Sequence, residues 1–158
     1  MDKTRILFVC LGNICRSPMA EGLFLNLIEQ QGVLDKYIVD SAGTAGYHIG
    51  ARPDERMLET AANHNVELPS FARKFEVTDF TNFDYIIAMD QQNLEDIESL
   101  RPSNNNGAQV FKMRDFDEDD KGGNVPDPYY GGQSGFENVY QILKKCNLAF
   151  IAYLEKNT

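Results

Sequence analysis

Tryptophan is absent from the 158 residues, histidine occurs twice and cysteine three times. Three cysteines build no disulfide framework, and an odd count points to a reducing compartment, so the expected location is cytoplasmic. Basic residues are in deficit, with 15 Lys plus Arg against 24 Asp plus Glu and a formal net charge of −9. Nucleic acid and acidic membranes both require an extended basic surface, so neither is an expected partner. Taken alone, the same balance argues against an anionic substrate as well. No apolar run reaches the ~18 residues of a membrane span. The opening MDKTRILFVC lacks the apolar region and small-residue cleavage site of a signal peptide. Neither G-x-x-x-x-G-K-[ST] nor G-x-G-x-x-G occurs, which removes the common nucleotide-binding loops.

What is present reads as one domain spanning residues 1–158. Residues 5–10 hold Ile6, Leu7, Phe8 and Val9 in an unbroken apolar run, the pattern of a strand buried on both faces. A short loop with Gly12 and Asn13 follows. Ser17 then reads as a helix N-cap with Pro18 in the first helical position, and the helix runs to a stop at Gly32. Further strands are predicted over 37–40, 84–89 and 109–113, and further helices over 53–63, from about 91, and over 136–154. Alternating strands and helices imply an α/β fold, three layers deep, with a four-stranded parallel sheet. The stretch 115–135 is long for a structureless loop; its acidic run 117–120 reads as solvated.

The chemistry concentrates between the first strand and the first helix, in Cys10-Leu11-Gly12-Asn13-Ile14-Cys15-Arg16-Ser17-Pro18. A loop turning from a strand into a helix can direct successive backbone N–H groups at one centre, and the helix N-terminus adds positive potential. An oxyanion fits there, and the planar fork of Arg16 can grip two of its oxygens. The same groups favour the thiolate of Cys10, which would face a bound phosphoryl group as a nucleophile. Ser17 can donate to the sulfur, Asn13 can brace the loop from a left-handed backbone angle, and Ser41 at the end of the second strand lies within reach of Asn13. A cysteine closing a strand is more often a buried apolar residue. The Gly, Asn, Arg and Ser-Pro around Cys10 set this one apart.

These residues resemble the phosphate-binding loop of the low-molecular-weight protein tyrosine phosphatase family. Asp40-Ser41-Ala42-Gly43, the segment 84–90 and Pro126-Asp127-Pro128-Tyr129-Tyr130 resemble further family segments, in the same order along the whole chain. The resemblance implies a metal- and cofactor-free phosphatase. Cys10 forms a cysteinyl-phosphate, and Arg16 binds phosphate with the amides of Leu11, Gly12, Asn13, Ile14, Cys15, Arg16 and Ser17. Asp127 serves as general acid and then general base. Asn13, Ser17 and Ser41 support the loop. Leu11, Tyr47, Tyr129 and Tyr130 wall the substrate pocket, and Cys15 is a reversible disulfide partner for Cys10. Implied substrates are phosphotyrosine proteins or peptides and small aryl phosphates, with phosphate and other oxyanions as inhibitors of a monomer or weak homodimer. Relatives acting on phosphoarginine carry Thr where this chain has Ile14, which favours phosphotyrosine.

Alternatives within the same fold are a protein-arginine phosphatase, an arsenate reductase, or a non-catalytic phosphotyrosine-binding module. The relay cysteines that an arsenate reductase would need near residues 80–90 are missing. A pure binder would have no use for Asp127. Ser70 stands where some relatives carry a bracing His, His48 falls at the pocket rim, and His64 reads as a helix-end histidine.

Overall fold

The computed structural model describes residues 2–104, 107–129 and 131–157. Four strands, β1 (Thr4–Cys10), β2 (Tyr37–Gly43), β3 (Tyr85–Ala88) and β4 (Gln109–Lys112), pair in parallel in the order β2-β1-β3-β4. β1 is therefore interior, and Ile6 to Cys10 are all buried, which is why its apolar run shows no alternation.

Successive β1 side chains point to opposite faces. Ile6, Phe8 and Cys10 join the core beneath α1 (Arg16–Gln30), α2 (Glu55–Asn63) and α5 (Gln133–Lys156), with Met19, Phe24, Met57, Leu143 and Phe150. Leu7 and Val9 join the other core, with Phe80 of α3 (Asp79–Asn82) and Ile97 of α4 (Gln91–Ser99). The result is the three-layer α/β arrangement that the alternation of elements implied. Cys146 is fully buried in the first of these cores.

Several boundaries differ from the sequence reading. α1 begins at Arg16, so Ser17 lies in its first turn and makes no cap, while Pro18 takes the third helical position. Proline is tolerated there because the first four N–H groups of a helix have no intrahelical partner. At the other end, Val33 N–H donates to Ile28 O at 2.9 Å and Gly32 N–H to Glu29 O at 3.1 Å, closing α1 around a left-handed Gly32. β2 extends to Gly43 because its register carries Cys10 opposite Gly43. α2 starts at Glu55, with the Asp54 carboxylate accepting from Arg56 N at 2.8 Å. α5 starts three residues before the apolar periodicity begins. The four-residue α3 carried too few residues to show a period.

The acidic run is only partly solvated. Glu118, Asp119 and Asp120 are exposed, but Asp117 is buried and takes Arg114 Nε at 2.9 Å and Lys145 Nζ at 3.0 Å. Lys112 Nζ donates to Gly122 O at 2.7 Å, and Val125 N–H to Met89 O at 2.9 Å. The long segment is thus pinned to the sheet before it reaches Asp127. His64 ends α2, its ring stacked on Tyr140 at 3.7 Å and its Nε2 2.9 Å from Glu137.

Candidate active site

The carboxyl end of β1 and the N-terminus of α1 meet around a small pocket lined by Cys10, Leu11, Gly12, Ile14, Cys15, Arg16, Tyr47, His48, Asp127 and Tyr129. In open α/β sheets this is the end where ligands bind. A wider concavity at the opposite end of the sheet contains Arg5, but that arginine is already paired with Asp84 at 3.4 Å and no cysteine faces it. The chemistry therefore belongs to the smaller pocket.

Cys10 and Arg16 form its floor, 3% and 3% exposed, whereas Asp127 stands at the rim with its side chain 36% exposed. The guanidinium is fixed from two sides. Arg16 Nη1 donates to Asp90 Oδ2 at 2.6 Å and to Val125 O at 3.1 Å, which leaves Nη2 3.5 Å from Asp127 Oδ2. A buried arginine with that many oxygen partners has one orientation, with its free edge toward the pocket. Asp127 is itself shaped by its loop: Tyr129 N–H donates to its Oδ1 at 3.0 Å.

The loop is held from behind. Asn13 adopts φ 56 and is 1% exposed. Its Nδ2 donates to Ser17 Oγ at 2.8 Å and to Ser41 Oγ at 3.0 Å, and its Oδ1 accepts from Arg73 N at 3.0 Å. Ser17 Oγ lies 3.0 Å from Cys10 Sγ and 3.4 Å from Ala42 O. A cysteine thiolate has no proton to give, so with the sulfur in that state the Ser17 hydroxyl is the donor across the shorter contact. So Asn13 and Ser17, grouped with the phosphate-binding residues, place their side chains behind the pocket rather than in its wall.

Cys15 sits beside Cys10 in the pocket lining. Burial first, and the Asp54 carboxylate second, push its thiol well above the usual range. Cys15 thus stays protonated at neutral pH and does not compete as a nucleophile. Both cysteines are free thiols in this structure.

Leu11 and Tyr129 are partly exposed on the pocket wall, and Tyr47, which also lines the pocket, is 75% exposed. His48 also lines the pocket, its ring 6.3 Å from that of Tyr129. Tyr130 lies outside the described residues. Ser70 does not take over the bracing of Asn13: its buried hydroxyl has no hydrogen-bond partner among the described residues, and the backbone of Arg73 does that work. Arg73 is held for it by Asp40 and by a two-pronged pair with Asp79.

Three residues escaped the sequence reading. Asp90 could have been found, since it directly follows the strand beside β1, where a carboxylate reaches the central loop. Arg73 and Glu21 carried no such signal; Arg73 reaches Asn13 across 60 positions of chain, and Glu21 reaches Ser41 across 20. Among the described residues, no group of three or more His, Cys, Asp or Glu could hold a metal ion. No helix among them is long and apolar enough to cross a membrane.

The family model described as low molecular weight phosphotyrosine protein phosphatase matches residues 5–158. The chain is 44% identical over 137 residues to the low molecular weight phosphotyrosine protein phosphatase of Schizosaccharomyces pombe, covering 86% of this chain and 87% of that one. It is 42% identical over 149 residues to the human protein of the same description, covering 92% of each. A crystal structure of a protein tyrosine phosphatase from Entamoeba histolytica superposes with a TM-score of 0.93 at 42% identity, over 98% of this chain and 99% of that one.

Proposed function

The chain belongs to the low molecular weight phosphotyrosine protein phosphatase family, and on that premise we propose how its residues divide the reaction. It is a hydrolase acting on phosphotyrosine, with phosphoproteins as its substrate class. The Cys10 thiolate attacks phosphorus and the bond to the tyrosine oxygen breaks. Arg16 and the amides of residues 11–17 hold the three equatorial oxygens. Asp127, protonated at the start, gives its proton to the leaving phenolate. As a carboxylate it then takes a proton from the water that attacks the cysteinyl-phosphate, which releases phosphate and restores both groups. Ser17 donates to the sulfur as it leaves.

One observation carries this division of labour. A buried Cys10, a buried Arg16 and a rim carboxylate 3.5 Å from that arginine converge on one pocket. Arg16 and the loop amides supply the positive charge that a metal ion would otherwise provide, so neither metal nor cofactor takes part. Ile14, in the pocket wall, and the ring of Tyr129 favour an aryl ester over phosphoarginine or phosphoserine. Small aryl phosphates are accepted for the same reason, and free phosphate or other oxyanions compete for the loop.

Cys15 protects the nucleophile. When a peroxide oxidises the pair, the two thiols surrender two electrons and two protons, a Cys10–Cys15 disulfide forms, and the peroxide is reduced to water or alcohol. Reducing conditions in the cytoplasm return both thiols, and the protein acts there as a monomer or weak homodimer.

The test is turnover of phosphotyrosine, phosphoserine and phosphoarginine peptides with EDTA present, by wild type and by Cys10→Ser. Wild type is expected to prefer phosphotyrosine, and Cys10→Ser to be folded and inactive. A requirement for added divalent ion, or substantial turnover by Cys10→Ser, would overturn the assignment.

A further inference from the structure

Asp127 has to stand at one height above the sulfur, and bonds within its own loop are not all that fixes it. The carboxyl takes the N–H of Tyr129, two residues on, besides its 3.5 Å approach to Arg16, and the question is what holds Tyr129. The answer lies on a different element. Arg56, in the first turn of α2, donates from Nη2 to Tyr129 O at 3.1 Å. Its guanidinium carbon lies 5.6 Å from the centre of the Tyr129 ring and 4.6 Å from that of the fully buried Phe136 of α5. Asp54 sets the plane of the fork, meeting Nε at 3.1 Å and Nη2 at 3.0 Å. The backbone N–H of Asp54 in turn donates to Ile14 O of the phosphate-binding loop at 2.8 Å.

We propose that Arg56 is a positioning residue for the general acid, locking the Asp127 loop to α2 and, through Asp54, to the loop that holds the nucleophile. The proposal rests on the reading of Asp127 as general acid. Arg56 is not part of the pocket wall, so it acts through Tyr129 and not on the substrate. An exposed Asp–Arg pair would by itself hold little. This one differs because the nitrogen that meets Asp54 also meets the Tyr129 carbonyl, between two aromatic rings that confine the guanidinium plane. The path Ile14–Asp54–Arg56–Tyr129–Asp127 links the two halves of the site through Asp54 and Arg56, which do not line the pocket. A lysine would keep the charge but lacks a planar fork able to serve carboxylate, carbonyl and rings together.

The experiment measures kcat/KM, which reports phosphoryl transfer to Cys10 and not the later hydrolysis common to all substrates, for aryl phosphates from 2,4-dinitrophenyl to phenyl phosphate with wild type, Arg56→Ala, Arg56→Lys, Asp127→Ala and the double variant Arg56→Ala/Asp127→Ala. A well-stabilised phenolate leaves without a proton, whereas phenolate itself requires one. Arg56→Ala is therefore expected to lose about tenfold or more on phenyl phosphate and less than about twofold on the dinitro ester. In the Asp127→Ala background the same change should cost less than about twofold on any substrate, because the group it positions is gone. Arg56→Lys should show the same selective loss, and it carries the test if thermal melting shows Arg56→Ala to be unfolded. A merely structural role would lower all substrates alike; uniform loss, no loss, or additivity with Asp127→Ala would overturn the proposal. If Asp127→Ala shows selective loss and the Arg56 variants do not, the lock alone fails. If Asp127→Ala shows none, the general-acid reading fails and the lock with it.

Discussion

Ser41 donates its hydroxyl to Glu21 across 2.6 Å, and the carboxyl that receives it is only 5% exposed. The same Ser41 oxygen accepts from Asn13, so a buried acid in α1 is two hydrogen bonds from the side chain that braces the nucleophile loop. Burial drives the Glu21 carboxyl up to about 7, with the Asp40 charge adding to the rise and the Ser41 bond and Arg73 opposing it.

That shift has a sign for stability. Glu21 moves from an ordinary 4.5 to about 7 in the folded chain, so between those values the native state binds more protons than the unfolded state. Its contribution is fully present below 4.5 and declines as pH rises through 7. The loss is roughly 3 kcal/mol at most. Glu21→Gln keeps an acceptor for Ser41 but does not titrate. Urea unfolding at pH 5 and pH 8 should therefore show a smaller fall in stability for the variant than for wild type. Equal falls would mean that Glu21 is not the group responsible.

Asn13 does two things at once, and two variants separate them. Its φ of 56 is costly for alanine, and its amide makes three hydrogen bonds. Asn13→Gly tolerates the backbone angle but loses the bonds. Asn13→Ala loses both and leaves the Arg73 N–H without its acceptor, a cost of roughly 1–3 kcal/mol. Steady-state kinetics should show kcat reduced about tenfold or more in both. Stability should fall further in Asn13→Ala. A fully active Asn13→Gly would show that only the backbone angle matters.

Gly22 tests packing against propensity. Alanine in the middle of α1 would gain about 1 kcal/mol of helix propensity. Its Cβ, however, would lie 2.5 Å from Glu67 O and 2.5 Å from Leu68 Cδ2, and the first of these is backbone that cannot swing away. Overpacking of this kind costs roughly 1–3 kcal/mol, so the clash wins. Gly22→Ala should melt below wild type with little change in KM; a higher melting temperature would show that the 66–68 segment yields easily.

These residues also mark what a sequence can disclose. The strand–loop–helix around Cys10 was legible because its signals are local: an apolar run, then Gly and Asn, then Arg-Ser-Pro. The helix boundary was misread for a physical reason, since Ser17 has the chemistry of a cap but turns its hydroxyl to Cys10 and Asn13. Asp117 was misread because its acidic neighbours gave no hint of Lys145, 28 positions away, as a partner. Arg73, Glu21 and Arg56 act through pairings that only the folded chain creates. Each looks in sequence like an ordinary charge on a surface.

The net charge of −9 carries a last consequence. A phosphate is gripped at contact distance by Arg16, whereas a peptide approaching from solvent meets the field of the whole chain. Locally that field is mixed: Arg56 is paired with Asp54, while Arg52, among the described residues, donates to the carbonyls of Ser70 and Leu68 and lies over the Phe71 ring, none of which offsets its charge. Which influence prevails depends on screening. At 0.1 M salt the Debye length is ~10 Å and local groups dominate, but at 0.01 M it is ~30 Å and the full negative charge is felt. Phosphotyrosine peptides flanked by Asp or Glu should therefore show lower kcat/KM than neutral-flanked ones. The gap should widen as salt is lowered and should appear in KM more than in kcat. Wild type and Arg52→Gln, assayed across that salt range, decide the matter. If acidic peptides gain at low salt and lose that gain in Arg52→Gln, local attraction outweighs the field of the whole chain, and the expectation is wrong.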